Sequence, residues 1–158
     1  MKRLAWVILF TTSGCTLSAQ KYITAAGIRM GNEGIGISLQ QRLFDHTTVE
    51  AIAEMNLKNY WVTGMIEQHN NILFSKSFNA YAGIGPSFGK DYFTDSVWVG
   101  GNFIFGVEYK VLLLPFVISA DLKPSFRFGQ EDAFDLGVGF SVRYVLFKDK
   151  TSIFNRNK

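Results

Sequence analysis

Hydrophobic and polar residues alternate with a period of two through most of residues 20 to 147, and clusters of Gly, Asn, Asp and Ser separate the runs. Successive side chains of an extended strand point to opposite faces, so this period predicts β-structure throughout one domain. In 135–146, Leu136, Val138, Phe140, Val142, Tyr144 and Leu146 alternate with Gly137, Gly139, Ser141, Arg143 and Val145. In 116–128, Phe116, Ile118, Ala120, Leu122, Phe126 and Phe128 oppose Ser119, Asp121, Lys123, Ser125 and Arg127. In 97–111, Val97, Val99, Phe103, Phe105, Val107 and Tyr109 oppose Trp98, Gly100, Asn102, Gly106, Glu108 and Lys110. Less regular runs at about 21–30, 34–44, 47–58, 60–69 and 77–88 bring the expected number of strands to about eight. Pro86 and Pro124 fall inside two of these runs; since proline removes a ladder hydrogen bond, a bulge near the rim is expected at each.

Alternation alone suits either a soluble barrel with its apolar face inward or a membrane barrel with that face outward. Two features favour the membrane. Aromatic residues fall near the strand ends in two bands, Tyr22, Phe44, Phe78, Tyr109, Phe116 and Tyr144 at one rim, and Tyr60, Trp61, Phe88, Trp98, Phe126 and Phe134 at the other. Such bands are what interfacial girdles require. The other face collects Arg29, Arg42, Glu50, Glu54, Glu67, Glu108, Asp121, Lys123, Arg127 and Arg143. Five bases meeting five acids suit a narrow lumen, where every charge needs a partner. Glu108, Asp121, Lys123 and Arg143 are expected in one structural network, with Arg143 coupled to Asp121. The predicted fold is thus an all-β, antiparallel, up-and-down transmembrane barrel of about eight strands.

The N-terminus supports secretion. Lys2 and Arg3 precede the apolar stretch from Leu4 to Phe10, and small or polar residues follow up to Ala19, the order of a signal peptide over 1–19. A competing reading takes Thr12-Ser13-Gly14-Cys15 as a lipobox, with Cys15 acylated. Cleavage after Ala19 leaves a barrel over 20–147, a polar tail over 148–158, and no cysteine for disulfides or thiolate sites. No apolar run approaches the roughly 20 residues of a spanning helix. Without Lys2 and Arg3, 16 − 2 = 14 basic residues face 13 acidic ones, scattered singly, which argues against nucleic-acid binding.

On this pattern the chain resembles, over about residues 20 to 147, the small eight-stranded outer-membrane barrels, the architecture of OmpX and of the OmpA transmembrane domain. It looks most like uncharacterised barrels of that class at Met65-Ile66-Glu67-Gln68-His69, Tyr81-Ala82-Gly83-Ile84-Gly85, Gly106-Val107-Glu108-Tyr109-Lys110 and Asp121-Leu122-Lys123-Pro124. Ser141-Val142-Arg143-Tyr144 followed by Phe147 resembles the final-strand signal read by the barrel insertion machinery, although Phe147 is out of phase with the lipid-facing set and residues follow it. The resemblance implies an outer-membrane location, lipid and the insertion machinery as partners, a monomer, and no cofactor or established chemistry.

Catalysis has little to work with. His46 and His69 are the two histidines; both are expected as solvated turn residues, with Ser75, Ser77 and Glu67 near the second. Two distant histidines build no closed metal site. Gly31-Asn32-Glu33-Gly34 and Gly83-Ile84-Gly85 precede no helix and are not phosphate cradles. Asp91, Asp95, Glu131 and Asp132 in outer connections read as solvated acids before they read as cation ligands. The expected function is a structural or surface-interaction barrel with no catalytic residue. The alternatives are a lipid-modifying outer-membrane enzyme and a soluble lipocalin-like binder of apolar ligands. Short connections near 31–34, 58–60, 89–96 and 128–133 argue against adhesin-like reach.

Overall fold

The computed structural model describes residues 22–44, 46–72, 77–128 and 133–148. The expected leader with Cys15, the tail beyond 148, Ser75, Glu131 and Asp132 lie outside the described residues. Eight strands run in chain order: β1 (Tyr22–Gly31), β2 (Ile35–Arg42), β3 (Thr47–Met55), β4 (Asn59–Asn71), β5 (Phe78–Asp91), β6 (Val97–Lys110), β7 (Phe116–Phe128) and β8 (Phe134–Lys148). Each pairs antiparallel with the next, and β8 closes on β1, so no edge is left open. The β1–β2, β3–β4, β5–β6 and β7–β8 connections therefore share one end of the barrel. The other three connections and both strand termini share the opposite end.

Turn chemistry sets several boundaries. β3 stops at Met55, short of the expected 58, because Asn56 Oδ1 accepts hydrogen bonds from the backbone N–H groups of Lys58 and Asn59 at 2.8 Å. That Asx turn starts the reversal early. Asp91 Oδ1 does the same for Phe93 at 2.7 Å and Thr94 at 2.8 Å, and Asp95 takes a left-handed φ of 56°. This tight β5–β6 turn lets β5 run to Asp91 rather than to 88.

The register shows the stagger of the barrel. From Val138 the partners run through Leu122, Phe105, Ala82, Gln68 and Thr47, then through Leu43 and on by the β1–β2 register to Tyr22. Tyr22 pairs with Lys148, a displacement of 148 − 138 = 10 residues on return to β8. Ten residues of ~3.3 Å rise set against eight strands ~4.8 Å apart correspond to a tilt of about 40°.

The prolines are absorbed without the expected bulges. Pairing between β4 and β5 skips from Thr63↔Ser87 to Ile66↔Ile84, and between β6 and β7 from Asn102↔Ser125 to Phe105↔Leu122. Pro86 and Pro124 lie in these two gaps, yet both still pair on their other sides, with Gly101 and Leu136, and the register is unchanged across each gap. A bulge does occur near the end of β8, where Ala25↔Val145 gives way to Thr24↔Phe147. The inserted residue restores Phe147 to the outer face beside Leu146, so both are exposed.

Burial is inverted relative to a soluble barrel. Along β4, Trp61, Thr63, Met65, Glu67 and His69 are buried, while Val62, Gly64, Ile66, Gln68 and Asn70 face out. Exposed positions elsewhere include Ile37, Phe105, Leu122 and Val138, whereas Arg29, Lys123 and Arg143 are at most 1% exposed. Phe44, Tyr109, Phe116 and Tyr144 project outward near one rim, and Tyr60, Phe88, Phe126 and Phe134 near the other. Ten residues separate Phe116 from Phe126 along β7, about 25 Å along the axis at this tilt. Trp61 and Trp98 are a correction to the expected girdle. They lie on the parity of the charged face, only 4% and 5% exposed, and point inward.

Candidate functional site

The interior charges gather into two main groups, each joining strands distant in sequence. In the first, the Arg29 guanidinium on β1 grips the Asp121 carboxylate of β7 with two parallel bonds, Nη1 to Oδ2 at 2.7 Å and Nη2 to Oδ1 at 2.5 Å. Its Nε donates to Glu54 Oε1 of β3 at 3.0 Å. The other Glu54 oxygen accepts from Trp61 Nε1 at 3.0 Å and from Lys123 Nζ. Lys123 also reaches Glu33, in the β1–β2 connection, at 2.9 Å. Tyr81 OH completes Asp121, donating to Oδ2 at 3.0 Å. Bidentate, charge-assisted bonds of this kind are the stronger class of polar contact. Burial raises the Glu33 carboxyl above its usual range, and the Lys123 ammonium pulls against that shift.

In the second group, Arg143 on β8 pairs with Glu50 of β3 and spends its remaining donors on Ser38 Oγ and Ser119 Oγ, each at 2.8 Å. Glu67 Oε2 accepts from Gln40 Nε2 at 3.1 Å and lies 3.1 Å from His69 Nε2. The His69 ring stacks on Tyr81 with centroids 5.1 Å apart. Glu108 accepts from Asn79 Nδ2 at 3.3 Å and lies 3.9 Å from Lys110 Nζ.

Glycine makes room for these long side chains. A Cβ on Gly139 would sit 2.2 Å from Arg29 Nη2, and one on Gly89 would sit 2.3 Å from the Trp98 ring. Alternating small and large inward residues is how a narrow barrel is filled. Apolar Ile52, Met65 and Ile104 pack with Tyr81 as a buried cluster on β3–β6.

Of the ten charged residues picked out by parity, eight are buried inside: Arg29, Glu50, Glu54, Glu67, Glu108, Asp121, Lys123 and Arg143. Arg127 is half-buried at the mouth, where it meets Asp135 at 3.0 Å and stacks 4.9 Å from the Trp98 ring centre. Arg42 is half-buried at the end of β2. The expected coupling of Arg143 to Asp121 is corrected. β7 and β8 are in register at Ser119↔Ser141, so Asp121 lies toward one end of that pair and Arg143 toward the other. Each finds a different partner across the barrel.

His69 is also corrected from a solvated turn to a buried strand residue, because β4 continues to Asn71 and its odd positions face inward. His46 stays exposed in its turn, Nδ1 3.2 Å from the His69 carbonyl oxygen. Glu33, Trp61, Tyr81 and Gln40 belong to the interior groups although the charged list omits them. The same parity rule finds the last three, and Glu33 follows from no periodic signal because it lies in a turn. Among the described residues no group of three or more His, Cys, Asp or Glu side chains could hold a metal ion.

Among solved structures the chain is similar to Neisserial surface protein A, with a TM-score of 0.50 and 17% identity over 77% of this chain and 93% of that one. At that identity the likeness is one of fold. No family model matches the sequence, and no curated protein matches it.

Proposed function

We propose that the protein is an integral outer-membrane barrel with a structural or surface-interaction role, its outer belt facing lipid and its paired interior charges filling the lumen and locking the strands together. The observation that carries this reading is the inversion of burial, with apolar side chains outside and ion pairs inside. In water such a continuous apolar girdle would far exceed the few hundred Å² that a soluble monomer normally exposes. Lipid turns that exposure from a cost into a requirement. The likeness to a Neisserial surface protein supports the same reading.

A lipocalin-like carrier needs an apolar cavity, and here the cavity holds Arg29, Lys123 and Arg143. Lipid-modifying chemistry gains no support either. His69 is enclosed between Glu67 and Tyr81, with no nucleophile among its contacts in the described residues.

Cell fractionation tests the proposal. The protein is expected in the outer-membrane fraction and should migrate faster on a detergent gel before boiling than after, since a closed barrel resists detergent alone. Recovery as a freely soluble periplasmic protein would overturn it.

A further inference from the structure

The second interior group contains an imbalance that its visible partners do not resolve. Glu50 and Glu67 lie on adjacent strands, their side chains on the same inner face and two positions out of register, since Glu50 pairs with Met65 and Glu67 with Thr48. Diagonal neighbours at this spacing are within reach of long side chains. Both residues are 0% exposed. Their outer oxygens are supplied with donors, Glu50 Oε1 by Arg143, and Glu67 Oε2 by Gln40 and the His69 ring. Their remaining oxygens, Glu50 Oε2 and Glu67 Oε1, are buried and receive no donor among the described residues, on two side chains that the register turns into the same part of the interior.

Two ionised carboxylates buried as diagonal neighbours on one inner face would repel in a medium of low dielectric and leave two orphaned acceptors. We propose that Glu50 and Glu67 share one proton in the folded barrel at neutral pH, forming a carboxyl–carboxylate pair that bridges β3 and β4. A single hydrogen between the two orphaned oxygens satisfies both. It also reduces the local charge to one anion, which Arg143 neutralises.

The surroundings agree with one retained proton. In contact with the pair are Arg143 from β8, His69 from β4 and neutral Gln40 from β2; Tyr81 of β5 stacks on His69, Glu108 of β6 stands beside Lys110 and Asn79, and Arg42 lies farther along β2. Arg29 of β1 and Lys123 of β7 are committed to Asp121, Glu54 and Glu33. Arg143 is the cation in ion-pair contact with Glu50.

The test is infrared spectroscopy on the refolded full chain in detergent micelles at neutral pH, joined to urea titrations across pH. Wild type should show a protonated-carboxyl stretch that shifts in heavy water and is absent in Glu67→Gln, whose amide donates to Glu50 in place of the proton. Because the fold retains a proton that the unfolded chain has released, stability must fall as pH rises. The loss should be about tenfold in the folding constant per pH unit wherever one such proton is bound in the fold alone. Glu67→Gln should lack that component of the slope. No protonated band in folded wild type would overturn the proposal even if the variant fails to fold. So would stability that depends on sodium or potassium and not on this proton, which would place a cation between the two anions instead.

Discussion

Single interior residues carry more of this barrel's stability than their number suggests. Removing one partner of a buried pair leaves the other uncompensated, which costs about 3–5 kcal/mol, whereas an exposed pair is worth about 1 kcal/mol or less. Arg143→Ala should therefore destabilise the barrel by a few kcal/mol in urea titrations in micelles. Because Arg143 pairs with Glu50, Glu50→Ala in the same chain should recover part of that loss. Asp121→Ala should add to it nearly independently, since Asp121 is held by Arg29 and Tyr81. Full additivity with Glu50 would show that the pair is solvated. Gly139 is a second such position. Gly139→Val would drive its side chain into the Arg29 guanidinium and should cost about 1–3 kcal/mol by the same titration, as overpacked cores do. Gly101, whose Cβ would meet nothing within 4 Å, should accept Ala within about half a kcal/mol.

At the scale of the strand, the two faces obey opposite rules. On β7, Lys123 is a buried cation among carboxylates, while the adjacent Leu122 is 48% exposed midway between the aromatic bands. Leu122→Arg should cost about 2–4 kcal/mol when folding is measured in lipid bilayers, the penalty of a cation at mid-depth. A soluble barrel would treat the same change as a neutral surface substitution, so an effect below about half a kcal/mol would count against a lipid-facing strand. Strand irregularities follow from equally local causes. Pro86 and Pro124 each interrupt one ladder and leave the other intact, and the bulge before Phe147 turns an out-of-phase aromatic outward. The strands were legible in the sequence to within a few residues. Their ends were less so, because Asn56 and Asp91 form turns through side-chain hydrogen bonds that leave no periodic trace.

Across the whole molecule, closure decides which charges meet. Arg29 and Asp121 stand 92 positions apart in sequence, and Arg143 and Glu50 stand 93 apart. They are neighbours because eight registers, seven spanned by a connection and the eighth made by closure of β8 on β1, sum to a ten-residue stagger that tilts every strand. The sequence by itself determined the strand count, the up-and-down order expected of short connections, and the parity that places Glu50, Glu54, Glu67 and Asp121 on the face opposite Ile66 and Leu122. Alternation is a local property, and two or three neighbouring residues suffice to express it. Only the tertiary structure decided that Trp61, Trp98 and His69 go inside with the polar parity, and that Arg143 meets Glu50 rather than Asp121. Those outcomes depend on the sum of all eight registers and on the depth at which each side chain ends, and no single stretch of sequence contains that sum.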